Sequence, residues 1–269
     1  MEANGITTAV LSSSPGPEQL EVKKSIEVCA KTNETLYELT KQYSGLYLGS
    51  AVLPVNDTDA ACRELERCVK GYGFVGWHVH SNFGDTAPDE ERYWPIFQKA
   101  AELGIYVYLH PQVPDDRRTR NCGFMVAAPM LGFTQDTMTT VTKLMLSGML
   151  DEIPNTRLVL GHLGEAIPFL MARMDNRVQV ELDPFVRAKH TLRYYFEHNI
   201  MVTTSGNLSI EAFKCTKNVL GIDRICFGTD YPYENPTEVM EFHDELPLSR
   251  KEREKLFYQN AEEKLGIRV

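Results

Sequence analysis

The sequence predicts an α/β domain built on a parallel sheet, and three observations carry that expectation. Seven short runs rich in β-branched and aromatic residues alternate with longer amphipathic stretches. The short runs are apolar almost throughout, as strands covered on both faces are, where half-exposed strands would alternate. No composition break, low-complexity tract or flexible linker interrupts the pattern, so residues 1–269 are expected to form one domain.

In chain order, the first two strands are "TTAVLS" (7–12) and "LYLGSAVL" (46–53). "NDTDAACRELERCVKGYG" then reads as a helix from an Asn/Asp/Thr start to a glycine stop. The strand "FVGWHVH" (74–80) precedes "TAPDEERYWPIFQKAAELG", where Pro88 and the acidic residues after it suit a helix N-terminus. After "IYVYLH" (105–110) comes the longest irregular stretch, 111–133, expected to be an active-site loop. "RLVLGHL" (157–163), "IMVTTS" (200–205) and "RICFGT" (224–229) complete the strands, with the helix "EAIPFLMARMD" after the first of them. The last helix, "LSRKEREKLFYQNAEEKLG", has Ser249 and Glu252 at capping-box spacing and stops at Gly266. Seven strands leave an eight-stranded barrel and a doubly wound sheet both open. The lack of a Gly-x-Gly-x-x-Gly after an early strand argues against a dinucleotide-binding fold.

Charge excludes some functions. With 28 basic and 37 acidic residues, the net charge is −9, which disfavours nucleic acid or an anionic membrane as the main partner. The basic run "DDRRTR" (115–120) is diluted by its aspartates and reads as a solvated loop. Six scattered cysteines without Cys-x-x-Cys spacing suit a reducing compartment. No leader pattern opens the chain, and no apolar run reaches the roughly 18 residues of a membrane span. A cytoplasmic protein is expected.

The polar residues with chemical potential fall at the C-terminal ends of strands, the edge where parallel α/β folds build active sites. "YLHP" places His110 there, "LGHLGE" His162, "TTSGN" Ser205 and Asn207, and "GTDYPYE" Asp230. Two histidines and an aspartate at one edge supply the nitrogen and oxygen donors of a zinc-like site with an open position for substrate. Glu165, three residues after His162, is close enough to fix an imidazole tautomer, and also suits a helix start. Arg173, about two turns further on, is either a surface charge or a contact for a substrate carboxylate. His78 and His80 share one face of their strand and can grip a metal together. Polar residues lining a pocket are the other reading of that pair.

The motifs "YWPIFQKAAELGIYVYLHP", "LSGMLDEIPNTRLVLGHLGEAIPFLMARMD", "MVTTSGN" and "ICFGTDYPYE", in this order, resemble the amidohydrolase superfamily. The nearest branch is the amidohydrolase-2 group, which holds γ-resorcylate, 2,3-dihydroxybenzoate and aminocarboxymuconate-semialdehyde decarboxylases. "GHLGE" and "TTSGN" resemble the aromatic-acid decarboxylases in particular. The resemblance implies a TIM-like (β/α) barrel of the metal-dependent hydrolase type. It implies that His110 binds the metal and that Asp230 binds it and takes part in proton transfer. It further implies that His162 with Glu165 touches the substrate and assists acid–base steps.

In the family, two more metal ligands stand on a first strand ahead of a segment like "MEANGITTAVLS". The seven strands are therefore expected to correspond to the family's second through eighth, with the first missing. His78 and His80 then lie on the strand matching the family's fourth, so they do not stand in the missing ligands' place. They remain candidates for a displaced metal. The expected function is a metal-dependent lyase or hydrolase, decarboxylating a small aromatic or dienoic carboxylic acid with zinc or manganese. The alternatives are a hydrolase or hydratase of a small carboxylate, and a catalytically impaired relative that binds or assembles. Open sheet edges predict a homodimer.

Overall fold

The computed structural model describes residues 1–13, 16–180 and 183–267. Strand β1 (Ala9–Leu11) leads to a short turn at Pro17–Gln19 and then to α1 (Val22–Gln42), whose first amides are capped by the Glu21 carboxylate. Next come β2 (Tyr47–Ala51) and α2 (Thr58–Glu66), capped by Asp57. Strand β3 (Gly76–His80), helix α3 (Trp94–Leu103) and strand β4 (Tyr106–His110) follow. Three helices, α4 (Arg117–Arg120), α5 (Gly132–Leu146) and α6 (Met149–Glu152), separate β4 from β5 (Leu158–Leu160). Helices α7 (Ile167–Val180) and α8 (Leu192–His198) precede β6 (Ile200–Thr203), and α9 (Ile210–Leu220) precedes β7 (Ile225–Cys226). The chain closes with α10 (Pro236–Glu245) and α11 (Arg250–Glu254), which runs on as wider helical turns to Leu265.

All seven strands pair in parallel and in sequence order, β1 to β7, forming a sheet curled into part of a barrel. Among the described residues no pairing joins β7 back to β1. Because side chains alternate along a strand, the sheet has two unlike faces. The outer face presents Trp77, Val79, Val107, Leu109, Leu158, Leu160, Ile200 and Val202 to the helices, all essentially fully buried. Each such side chain contributes roughly 1.5–3 kcal/mol by leaving water. The inner face carries Ser50, His78, Tyr106, Tyr108, His110 and Thr203 and lines a cavity of about 610 Å³. Residues of β1 and of the segment that follows β7 also line that cavity.

The expected strands are all present but shorter. The run 157–163 ends at Leu160, because the chain turns sharply at His162 (φ 52°). The predicted helix start at Pro88 is displaced: the acidic run forms turns, and α3 begins at Trp94 with Pro95 in its first turn. Its stop at Gly104 holds, in the left-handed conformation. The capping box of Ser249 and Glu252 is present in full. The stretch 111–133, expected to be irregular, holds α4 and a further helical turn at Val126–Met130.

Candidate active site

The C-terminal edge of the sheet is where the backbone leaves its comfortable conformations. Among the described residues, four non-glycine residues have positive φ, and all lie in the turns after β5 and β7: His162, Leu163, Glu165 and Asp230, at 52° to 60°. Such conformations cost on the order of 1–3 kcal/mol each and persist only where surrounding contacts enforce them. Three of them, His162, Glu165 and Asp230, bring polar side chains to one region, while Leu163 packs into the core.

The Nδ1 of His162 lies 2.6 Å from Glu165 Oε1, and the other carboxylate oxygen accepts a 2.8 Å hydrogen bond from the Thr134 hydroxyl on α5. Glu165 is thus held from both sides and fixes the imidazole in turn. His162 Nε2 and Asp230 Oδ2 both come within 3 Å of the point where a Gly206 side chain would begin. Only glycine (φ +65°) admits the two there. Burial works to lower the His162 pKa, but the Glu165 hydrogen bond and the charges of Glu165, Asp230 and Glu234 outweigh it, and the net shift is upward. Burial likewise raises the Asp230 carboxyl, with Glu165 adding to the rise and His162 opposing it. Proton-holding groups therefore face each other across Gly206.

A second cluster stands on β3 and β4. His80 lies opposite His110 in the strand register, and His78 is two residues back on the same face. The three ring centroids are 5.0–5.3 Å apart, and one nitrogen from each lies within 4.8 Å of the others. His78 also stacks on Tyr108. His80 Nδ1 meets the buried Glu18 carboxylate at 2.9 Å, and His110 Nδ1 donates to the Pro111 carbonyl at 2.7 Å. Burial, with the neighbouring histidines adding to it, holds His78 well below the usual imidazole range; burial and His80 bring His110 down to about 4. The Nε2 atoms of His78 and His80 are buried without a hydrogen-bond partner. Imidazoles with unengaged nitrogens are metal donors, and this set can hold a divalent ion.

The remaining sequence candidates fall differently. Asn207 follows β6, and its side-chain oxygen accepts from the Ser209 amide at the start of α9. Arg173 lies exposed on α7, outside the residues that line the cavity. Glu18, Thr134 and Tyr108 escaped sequence reading. Glu18 reaches His80 from 62 residues away, and no local pattern marks it.

A parallel barrel-like sheet with histidines and acids at its C-terminal edge defines a metal-dependent α/β enzyme class. Comparison with known proteins makes this specific. The amidohydrolase family description matches residues 7–267, and this chain belongs to that family. A γ-resorcylate decarboxylase of Rhizobium sp. (strain MTP-10005) is 35% identical over 272 residues, covering 97% of this chain and 83% of the relative. The structure of a dihydroxybenzoic acid decarboxylase of Polaromonas sp. JS666, with bound manganese and the inhibitor 2-nitroresorcinol, superposes with a TM-score of 0.90. It is 33% identical, over 97% of this chain and 82% of that one. The 5-carboxyvanillate decarboxylase of Novosphingobium aromaticivorans, complexed with manganese and a nitrobenzoic acid, gives 0.92 at 28% identity, over 99% and 78%. Among the described residues, no helix is long and apolar enough to cross a membrane.

Proposed function

We propose that this chain is a metal-dependent decarboxylase of a small aromatic carboxylic acid, acting as one domain over residues 1–269. The observation that carries the reading is convergence: His110 and Asp230 line one cavity, and the His162–Glu165 pair meets Asp230 across Gly206. Aromatic side chains in the same lining, Tyr108, Tyr231, Tyr233 and Phe257 among them, suit the flat face of a benzoate.

On this reading His110 is the fixed metal donor, either Asp230 or the His78–His80 pair completes the set, and zinc is favoured over manganese by the histidines. A divalent ion there would supply positive charge for the substrate carboxylate and the oxygen beside it. Asp230, whose burial favours the protonated form, delivers a proton to the ring carbon that bears the carboxylate. The carbon–carbon bond then breaks and carbon dioxide leaves. His162, oriented by Glu165, hydrogen-bonds a substrate oxygen as charge develops. Asn207, which follows Gly206 in the chain, and Arg173, exposed on α7, are the substrate-binding candidates of this reading.

The seven strands are taken to correspond to the second through eighth of the family barrel, the open side lying between β1 and β7. A homodimer that covers these edges fits this arrangement, and sedimentation as a monodisperse monomer would contradict it. The free cysteines suit a reducing cytoplasm. The test of function is carbon dioxide release from 2,6-dihydroxybenzoate and a panel of hydroxybenzoates, with zinc- and manganese-loaded protein. Turnover of at least one supports the reading. No release from any of them, by folded and loaded protein, would overturn it.

A further inference from the structure

We propose that the chain builds a three-nitrogen metal centre of its own, in which His78, His80 and His110 face one divalent ion through Nε2 and Glu18 buttresses His80 from behind. Neither His78 nor His80 has a place in the ligand set that the family resemblance implies. The inference deepens the decarboxylase reading, and it rests on that reading only for what the ion does, not for whether it binds.

Packing alone does not account for the cluster. A buried polar atom without a partner costs roughly 1–3 kcal/mol, and this cluster holds two, Nε2 of His78 and of His80. The surrounding hydrogen bonds decide which ring nitrogens are free. The Pro111 carbonyl can only accept, so His110 Nδ1 carries the proton and Nε2 keeps its lone pair. The Glu18 carboxylate accepts from His80 Nδ1 in the same way. Both rings therefore present a bare nitrogen to the space they share with His78.

Glu18 is the second, independent sign. Its side chain is 2% exposed, and a carboxylate so placed is costly unless its charge is answered. The His80 imidazole is the side chain that answers it, at 2.9 Å, and a cation bound on the far side of the ring would strengthen that contact. Carboxylate–histidine–metal chains are the usual form of this support. The fold makes room for it at Gly16, where a Cβ would lie 1.7 Å from Glu18 Oε2. The strand ends are also clamped. The Ser81 amide donates to the His110 carbonyl at 2.8 Å, and Thr140 on α5 donates to the Ser81 carbonyl at 2.7 Å. The backbone that presents the rings is thus held by both the sheet and α5.

An all-imidazole set selects zinc and its late-transition neighbours over manganese, magnesium or calcium, which prefer oxygen. Bonds of about 2 Å in a tetrahedral site place donor nitrogens roughly 3.3 Å apart. One nitrogen of each ring already lies within 4.8 Å of the others, and the terminal torsion of an imidazole is soft enough for small adjustments on binding. Asp230 stands outside this group, which leaves its carboxyl free to carry the proton.

The experiment titrates metal-stripped, full-length protein with zinc chloride and with cobalt chloride. It reads bound metal per chain by elemental analysis and the visible spectrum of the cobalt form, with circular dichroism confirming that each variant is folded. Wild type should bind one equivalent. His78→Gln and His80→Asn should abolish tight binding, and Asp230→Asn should keep the wild-type affinity and cobalt spectrum. Glu18→Gln should weaken binding about 10- to 100-fold, and it decides the matter if the histidine variants do not fold. Metal retained by the His78, His80 and Glu18 variants but lost in Asp230→Asn would overturn the three-histidine centre while leaving the decarboxylase standing. Wild type that takes up neither ion would also overturn the centre, and carbon dioxide release under manganese then reports on the decarboxylase separately.

Discussion

The two faces of the sheet are made by the same strands and do opposite work. On β3, Trp77 and Val79 point outward into the helices, while His78 and His80 point inward. On β4 the division repeats, with Val107 and Leu109 outside and Tyr106, Tyr108 and His110 inside. The outer face gains its stability from apolar burial and contains little that can react. The inner face buries imidazoles, phenols and hydroxyls, and the turns that follow it hold four strained residues. The comparison teaches that stability and chemistry are separated by a single residue step along each strand. Substitutions one position apart should therefore fail in different ways.

The largest effect should come from the inner edge. Asp230→Asn is expected to lower the decarboxylation rate by about 100- to 10,000-fold, the range of a lost general acid, with little change in melting temperature. A variant that loses stability instead would place Asp230 among structural residues. The outer face should answer in the opposite sense. Trp77→Ala, which removes a buried ring packed edge-on against Phe97, should cost about 3–5 kcal/mol in urea unfolding. At temperatures where it remains folded, it should leave the number of bound metal ions unchanged.

A third test uses pH. Burial holds His243 below the ordinary imidazole range, where Nδ1 donates to the Val239 carbonyl at 2.6 Å and Nε2 meets the Thr204 hydroxyl at 2.9 Å. The unfolded chain takes up this proton near pH 6.5, and the folded chain takes it up only at lower pH. Below about 6.5 the unfolded state therefore binds more protons, and stability falls as the pH drops towards the folded pKa. Urea midpoints measured between pH 7 and 5 should show this decline, and His243→Gln should flatten it. An unchanged slope would show that His243 is not protected by burial. The smallest effect belongs to Thr134→Val, which removes one hydrogen bond to Glu165. It should cost about 1 kcal/mol of stability and loosen the support of His162. A wild-type rate in that variant would show that Glu165 needs no second anchor.

Much of this division was legible in the sequence. Near-continuous apolar runs gave away strands buried on both sides, and His110, His162, Glu165 and Asp230 stood out because reactive side chains at strand ends are conspicuous. Their grouping was foreseeable, since a parallel sheet brings all its C-terminal ends to one edge. Lengths were less legible: β7 keeps only Ile225 and Cys226, because strand limits depend on neighbours that a local pattern does not contain. Pro88 misled because Pro95, seven residues on, fills the first-turn position just as well. His78 and His80 were visible as a pair, but their meeting with His110 depends on the register between β3 and β4. Glu18 and Thr134 act entirely through tertiary contacts, and nothing near them in the chain announces it.

The most direct measurement is anomalous X-ray scattering at the zinc edge from crystals of the zinc-loaded protein soaked in 2,6-dihydroxybenzoate. The account predicts one anomalous peak among the imidazoles of His78, His80 and His110, with the benzoate in the cavity between β1 and the segment after β7. A benzoate bound elsewhere, or a peak remote from the inner face of the sheet, would contradict it.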